Sequence, residues 1–354
     1  MRIDFITSSL SGGGAERVMV LLADGLADKG HEISIITFDN KNDYPTSKEV
    51  NRIFLSKGKI KNHTIRRLNE LRKYYSNSKN RPDIIISFLP PINFAAILIA
   101  KMYRIKIIVS EHINHLQEGS VLDKFTRKKL YRFANITTVL TKFDVDYYKK
   151  FKANVVVMPN PCTFQPISNN NHERQNTILA VGSLNRINHK GFDNLIDLIV
   201  PVLNENPEWK LLIAGDGKIG LDKLQSQVAQ NKIENQVEFL GFVSNINVIM
   251  KKSKLFVLSS RFEGLPMVIL EAMSQGMACI SYDCKTGPSD LINHEYNGLL
   301  VEDQNKLGMQ KSLRRLINDD GLRQKLSENS LKSLDHYSLE NILVMWQQIF
   351  NKLK

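Results

Sequence analysis

What most constrains this chain is an alternation of strand and helix patterns that runs through one half, stops at a polar stretch, and begins again. Short runs rich in β-branched residues lie at Arg2–Thr7, Glu32–Phe38, Asp83–Phe88, Lys106–Ser110, Ile136–Leu140 and Val155–Val157. Helical periodicity separates them: Ala15, Val18, Met19, Leu22 and Leu26 fall on one face. A second series follows at Thr177–Gly182, Lys210–Ala214, Val237–Leu240, Lys254–Ser259 and Ala278–Ser281. Between the two lies Pro159 to Asn176, with Asn160-Pro161, Pro166 and Asn169-Asn170-Asn171, the composition of a linker. Strands alternating with helices predict parallel sheets covered on both faces. The expected architecture is therefore α/β, with two doubly wound Rossmann-like domains facing across a cleft. Their boundaries are read as 1–160 and 161–337, with a helix at 338–354 packing back on the first domain. A chain of 354 residues suits two such domains. Ligands of doubly wound sheets bind at the carboxyl ends of the strands, so the loops after the strands are where chemistry is sought.

Charge divides the halves. Residues 1–160 hold 27 Lys+Arg against 15 Asp+Glu, whereas residues 161–354 hold 21 of each. All of the formal excess of +12 thus sits in the first half, which suggests an anionic partner there. Lys57, Lys59, Lys61, Arg66, Arg67, Arg72 and Lys73 alternate with Ile65, Leu68, Leu71 and Tyr75 at helical spacing. A second cluster runs through Lys124, Arg127, Lys128, Lys129 and Arg132. A basic amphipathic helix reads as membrane-surface or acceptor binding, and a solvated helix face is the plainer alternative. Nucleic acid would use the same charge, but no recognition module or aromatic platform accompanies it. The apolar stretch Ile84 to Ala100 carries Pro90 and Pro91, so it reads as strand, turn and helix start, not a membrane span. Asp4 stands where the apolar core of a secretory signal would begin, and none is expected. Cys162, Cys279 and Cys284 lack metal-binding spacing and read as reduced structural thiols.

Five loop segments carry the chemistry. Ser11-Gly12-Gly13-Gly14-Ala15-Glu16-Arg17 follows the first strand and opens a helix, where bare amides and the helix dipole favour an anion. Its glycines lack the dinucleotide-binding G-x-G-x-x-G spacing. In Gly182-Ser183-Leu184-Asn185-Arg186-Ile187-Asn188-His189-Lys190-Gly191, two cations, Arg186 and Lys190, suit a diphosphate. Arg261-Phe262-Glu263-Gly264-Leu265-Pro266 leads into a helix holding Glu271; carboxylates accept from hydroxyls while helix-start amides hold phosphate. Thr286-Gly287-Pro288-Ser289-Asp290 offers further amides, and Ser110-Glu111-His112 ends a strand of the first half.

Together these segments resemble the retaining GT-B-fold glycosyltransferases of family four, which includes many bacterial polysaccharide and lipid-linked oligosaccharide enzymes. The resemblance spans nearly the whole chain: Gly-Gly-Ala-Glu-Arg-Val at 13–18, Ser-Glu-His at 110–112, Met-Pro-Asn at 158–160, His-Lys-Gly-Phe-Asp at 189–193, Ala-Gly-Asp-Gly at 214–217, Leu-Gly-Phe-Val at 240–243, Glu263 with Glu271, and Gly-Pro-Ser-Asp at 287–290. It implies that Glu263 binds hydroxyls of the donor sugar and Glu271 the ribose. Gly264 and Leu265 would offer amides to the donor, Arg186 and Lys190 would hold its diphosphate, and Phe242 and Val243 would frame the base. His112 would touch the transferred sugar across the cleft, with Gly13 and Gly14 near phosphate or acceptor. Many relatives carry Arg directly after the loop glycine; here that position is Ser183, the loop is two residues longer, and the cation is assigned to Arg186. Retention, front-face attack and a UDP-linked hexose or N-acetylhexosamine donor are also implied, with no metal or other cofactor. The expected acceptor is a polyprenyl-diphosphate-linked glycan, met by an enzyme held on the inner face of the cell membrane. Asp144-Val145-Asp146, the D-x-D of the chain, sits in a helical context and is read as helix N-terminal charge. A GT-B-like UDP-sugar epimerase and a non-catalytic nucleotide-sugar-binding protein are the alternatives.

Overall fold

The computed structural model describes residues 1–11, 13–40, 44–55, 60–117, 119–170 and 173–354. The chain divides into two compact units, Met1–Pro161 with Tyr337–Lys354, and Cys162–His336. In the first unit, β1 (Arg2–Ile6), β2 (Glu32–Thr37), β3 (Val50–Phe54), β4 (Ile84–Phe88), β5 (Lys106–Ser110), β6 (Ile136–Val139) and β7 (Val155–Val157) form one sheet. Their order is β3-β2-β1-β4-β5-β6-β7, all parallel, with the order reversing between β1 and β4.

Three helices of this unit matter below: α1 (Gly14–Asp28), α2 (His63–Ser76) and α3 (Pro90–Tyr103). The Pro90–Pro91 pair occupies the first turn of α3, where the missing N–H groups cost nothing. The apolar stretch from Ile84 is thus a buried strand running into a buried helix. The helix Leu339–Leu353 returns to this unit and packs on α1. Gly25 makes room for it, since a Cβ there would lie 2.7 Å from the Leu343 side chain. Lys29 pairs with Glu340 at 2.5 Å, and His31 Nε2 lies 3.0 Å from Gln347 Oε1.

The second unit holds β8 (Gln175–Val181), β9 (Lys210–Ala214), β10 (Val237–Gly241), β11 (Ser253–Leu258), β12 (Ala278–Asp283) and β13 (Leu299–Glu302), ordered β10-β9-β8-β11-β12-β13 and again parallel. Its core is aliphatic: Ile178, Ala180, Leu211, Ile213, Leu255 and Val257 from the strands meet Leu195, Ile199 and Val202 from the helix Phe192–Glu205. Burying such side chains contributes roughly 1.5–3 kcal/mol each before the chain's entropy is subtracted. Two strands escape the sequence reading. β3 is the outer strand of its sheet and alternates little, with Asn51 and Phe54 exposed; β13 is a four-residue strand on the opposite edge of the second sheet.

Candidate active site

The motif loops of the second unit converge at the carboxyl ends of its strands. The loop after β11 touches the loop after β8: Gly191 has φ +68°, and a Cβ there would lie 2.0 Å from the Ser259 carbonyl oxygen. The loop after β12 touches it from the other side, with Gly287 at φ +93° and its absent Cβ 2.4 Å from the Gly264 carbonyl oxygen. Backbone meets backbone at both places, and only glycine permits that. Further along the same edge, Gly215 N–H donates to the Gly241 carbonyl at 2.8 Å and Gly182 N–H to the Ala214 carbonyl at 2.9 Å.

Glu263 sits at the focus and is 8% exposed. Its Oε1 accepts from Lys190 Nζ at 2.8 Å and from Ser260 Oγ at 2.6 Å. Burial alone would raise its pKa, but Lys190, Ser260 and His189 outweigh it and hold the carboxyl below its ordinary value. Thr286 Oγ1 donates to the Glu263 carbonyl, fixing the backbone that carries the carboxylate. The stem of Lys190 crosses Gly182, whose missing side chain leaves the path open. Eight residues later Glu271, buried within the helix Met267–Ser274, accepts from Thr163 Oγ1. Gly264 and the buried Leu265 lead into the first turn of that helix, where Ile269 N–H bonds back to the Pro266 carbonyl and the Met267 and Val268 amides precede the first intrahelical bond. Phe242, after β10, is 80% exposed, with Val243 half-buried beside it.

Arg186 and Lys190 differ. Lys190 reaches Glu263, whereas Arg186 is exposed and its Nη2 lies 2.9 Å from His189 Nε2 on the next turn. Arg261 turns to Asp193, with bonds of 2.8 and 3.1 Å, and donates to the Asn188 carbonyl, bracing the loop. Ser260 and Thr163 escaped the sequence reading, and Thr286 was read there only as part of a loop offering amides; the signal is adjacency to a motif carboxylate, legible only once the loops are seen together.

In the first unit, His112 stacks on Phe88 with ring centroids 4.2 Å apart, and its Nε2 lies 3.1 Å from Ser110 Oγ. Burial lowers its pKa to about 3, so the ring is neutral. Its Nδ1 is buried without a hydrogen-bond partner among the described residues. At the start of α1, Gly13 is the N-cap, and a Cβ there would lie 1.8 Å from Glu16 Oε2. The anion closest to Gly13 is therefore the chain's own carboxylate, whose pKa burial raises. Gly14, next along, is exposed.

The basic clusters are corrected by the structure. Arg127, expected on a solvated patch, is 4% exposed, and its Nη2 donates to Glu111 Oε2 at 2.9 Å. Tyr131 also donates to that carboxylate. Burial opposes the charge on Arg127, yet Glu111 outweighs it and holds the guanidinium charged. Lys128 stays exposed, as do Lys61, Arg72 and Lys73. Most of the apolar stripe of α2 is taken up by the unit's core: Leu71 and Tyr75 are fully buried and Leu68 packs against them, while Ile65 is 55% exposed. Arg66 and Arg67 turn toward a recess of about 390 Å³ lined by Ser8, Phe38, Phe54 and His63. Arg66 Nη2 lies 2.9 Å from His63 Nδ1, Arg67 Nη2 donates to Ser8 Oγ at 3.0 Å, and both Nε atoms are buried without partners among the described residues. Lys57 and Lys59, and Gly12 of the first loop, lie outside the described residues. Asp144 and Asp146 stand at the start of the helix Val145–Lys150, as N-cap and in its first turn, and Asp144 also accepts from His115 N at 2.8 Å and lies 2.7 Å from His115 Nδ1. Among the described residues no group of three His, Cys, Asp or Glu is gathered to hold a metal, and no helix is long and apolar enough to cross a membrane.

Two parallel-sheet units, with a buried carboxylate, a lysine and a helix start drawn together at one sheet edge, define the GT-B class of glycosyltransferases. Residues 12–163 match the model described as Glycosyltransferase Family 4, and residues 163–333 that of Glycosyl transferases group 1. A Campylobacter jejuni relative, GalNAc-alpha-(1->4)-GalNAc-alpha-(1->3)-diNAcBac-PP-undecaprenol alpha-1,4-N-acetyl-D-galactosaminyltransferase, is 31% identical, with 100% of this chain and 99% of the relative covered. The amylovoran biosynthesis glycosyltransferase AmsD of Erwinia amylovora is 28% identical, covering 99% of this chain and 98% of its own. Among solved structures, Anabaena HepE in complex with UDP and glucose superposes with a TM-score of 0.81 at 16% identity, covering 99% of this chain and 100% of its own. The chain belongs to this glycosyltransferase family.

Proposed function

We propose that this protein is a retaining, metal-independent hexosyl- or N-acetylhexosaminyltransferase that uses a UDP-sugar to extend a polyprenyl-diphosphate-linked glycan in surface polysaccharide synthesis. The carrying observation is the buried Glu263–Lys190 pair beside the first turn of the helix Met267–Ser274. An ionised Glu263 is a hydroxyl acceptor, while Lys190 and the bare amides beside it offer positive potential to a diphosphate. Leaving-group departure builds charge on that diphosphate, and fixed donors stabilise it without reorganising. Glu271 takes the ribose and exposed Phe242, with Val243, the base. Arg186, on the rim, is the second cation for the diphosphate. His112, neutral and with Nδ1 uncommitted, suits a sugar hydroxyl and not general-base work, and the attacking hydroxyl passes its proton to a donor phosphate oxygen. Since Glu16 occupies the anion position at Gly13, the Gly13–Gly14 loop is assigned to acceptor hydroxyls.

The undecaprenyl-diphosphate-linked acceptor of the Campylobacter jejuni relative and the UDP in the superposed structure favour this donor and this acceptor over the epimerase and sensor readings. For the acceptor's diphosphate, Arg66 and Arg67 are assigned, beside the recess that they line with Ser8, His63 and Asp39. For the membrane surface, the segment 121–133 is the better candidate: Val121 is 86% exposed and Phe125 49%, with Lys124, Lys128, Lys129 and Arg132 exposed beside them. Each such cation near an anionic leaflet contributes about 1 kcal/mol, which supports attachment to the inner face of the membrane. The test is a thermal-shift panel of UDP, GDP, ADP and their sugar conjugates with chelator present. A ligand at a hundredfold excess over Kd adds about 2.7 kcal/mol. UDP-selective stabilisation without metal is expected, followed by radiolabel transfer from a UDP-sugar to a polyprenyl-diphosphate glycan. Stabilisation by none of the nucleotides, in folded protein, overturns the reading.

A further inference from the structure

The second unit gathers cations at the edge of its sheet opposite the motif loops. A recess of about 280 Å³ is lined there by Arg174, Lys254, Arg323, Gly276, Ser327 and Glu328, among others. Arg174 immediately precedes β8 and Lys254 is the second residue of β11, so the recess lies at the amino-terminal ends of strands whose carboxyl ends carry the donor loops. It also adjoins the end of the helix Met267–Ser274, through Gly276, while the start of that helix lies beside Glu263.

The charges here are compensated in an uneven way. Arg174 donates to the carbonyls of Met250 (3.1 Å), Ser253 (2.9 Å) and Gln275 (2.7 Å) and to Asn170 Oδ1 (2.5 Å), every one neutral. Lys254 Nζ donates to Asn176 Oδ1 at 2.6 Å, again neutral, which leaves two ammonium protons. Lys254 Nζ and the Arg323 guanidinium each lie 5.7 Å from the ring of Trp209, which is 2% exposed. The carboxylates within reach are on exposed side chains: Asp320 pairs with Arg323, Glu173 attracts Lys254, and Glu328 accepts from Gln324 Nε2 at the rim. Burial lowers Arg174 to about 10, and burial together with Arg323 lowers Lys254. Three cations therefore line one recess: Arg323 has Asp320 as its partner and repels Lys254, while Arg174 and Lys254 are hydrogen-bonded to neutral groups.

We propose that this recess is a second anion site, separate from the donor loops, for a phosphate-class dianion: inorganic phosphate or the phosphoryl group of a phosphomonoester. Arg and Lys donors suit phosphate oxygens, and a dianion offsets more of the cluster than chloride does. The volume lies near the lower end of pockets that take small ligands, so a sugar phosphate fits its scale.

The experiment titrates sodium phosphate at constant ionic strength, against chloride, into the wild-type protein, Lys254→Gln and Lys190→Gln, following thermal unfolding. The glutamine at 254 keeps a donor for Asn176 and removes the charge. Saturable stabilisation is expected in the wild type and in Lys190→Gln, with affinity reduced about tenfold in Lys254→Gln, the weight of one charge-assisted hydrogen bond. A parallel titration with glucose 1-phosphate distinguishes the sources. Binding at least as tight as inorganic phosphate assigns a phosphomonoester, and weaker binding assigns the free anion. Stabilisation lost in Lys190→Gln and kept in Lys254→Gln puts the phosphate in the donor loops and overturns the proposal. So does a wild-type protein with no saturable response.

Discussion

The two units present their functional charges in opposite states. In the second unit the motif carboxylate is already satisfied: Glu263 holds Lys190 and Ser260, and Arg261 holds Asp193. In the first unit the polar groups at the corresponding edge are unspent, with His112 Nδ1 and the Nε atoms of Arg66 and Arg67 buried without partners among the described residues. A pre-paired site binds the same small ligand with little reorganisation, which suits a nucleotide sugar. Buried N–H groups left without a partner exact a standing cost, and a larger anionic partner recovers it. Arg127, buried and paired, points away from that use and ties the segment 121–133 to Glu111.

The sharpest way to break this comparison is Glu263→Gln. Removing the charge leaves Lys190 unmatched and weakens contact to the sugar, so kcat/KM falls by about 10²–10³, the scale of losing a key polar contact in an active site. Initial rates with a UDP-sugar measure it, and a change under threefold would sink the assignment. Next comes the Arg66→Ala, Arg67→Ala pair. A drop of about ten- to a hundredfold in kcat/KM for the lipid-linked acceptor is expected, as for lost hydrogen bonds to charge. The UDP thermal shift should stay unchanged; if it vanishes, the unspent cations serve the donor instead.

A stability test probes the floor of the first unit. Asp4 in β1 is buried, accepts from Tyr75 Oη at 2.7 Å, and has its pKa raised from 3.8 to about 7, mainly by burial. The folded state therefore binds this proton more tightly than the unfolded one. Its contribution is full below pH about 4, is lost as pH rises toward about 7, and stays flat above. Denaturant midpoints across that window should fall in the wild type and fall less in Asp4→Asn. Equal slopes would show that Asp4 titrates normally. The smallest effect expected is on membrane attachment. Phe125→Ser or Lys128→Gln should each weaken flotation with acidic liposomes by about fivefold, or about 1 kcal/mol, while Lys73→Gln does less. The reverse order would return the docking surface to α2.

The alternation of strands and helices was legible because both sheets are parallel and buried, so apolar runs such as Ile84–Phe88 and Leu255–Leu258 stand out. The motif loops were legible for a related reason: they follow strands, and their glycines are demanded by backbone contacts. Arg127 was misread because a basic run looks solvated, and nothing local announces Glu111 sixteen positions earlier. A wide helical turn over Thr126–Leu130 turns Arg127 inward while its neighbours Lys128 and Lys129 remain in solvent. The Arg174, Lys254 and Arg323 cluster was invisible for the same cause, since its members come from three distant segments.

The return of the helix Leu339–Leu353 to the first unit has a consequence for how the protein is made. Ile342, Leu343, Trp346, Ile349 and Phe350 are buried in that helix, and Gly25 of α1 is shaped to receive Leu343. A ribosome must finish Cys162–His336 before this layer exists. At about 5–20 residues per second the first unit waits roughly 10–35 s with one apolar flank of α1 uncovered. The amino-terminal unit is therefore the later of the two to be completed, and a nascent chain stalled inside the second unit should expose a surface for chaperones to recognise.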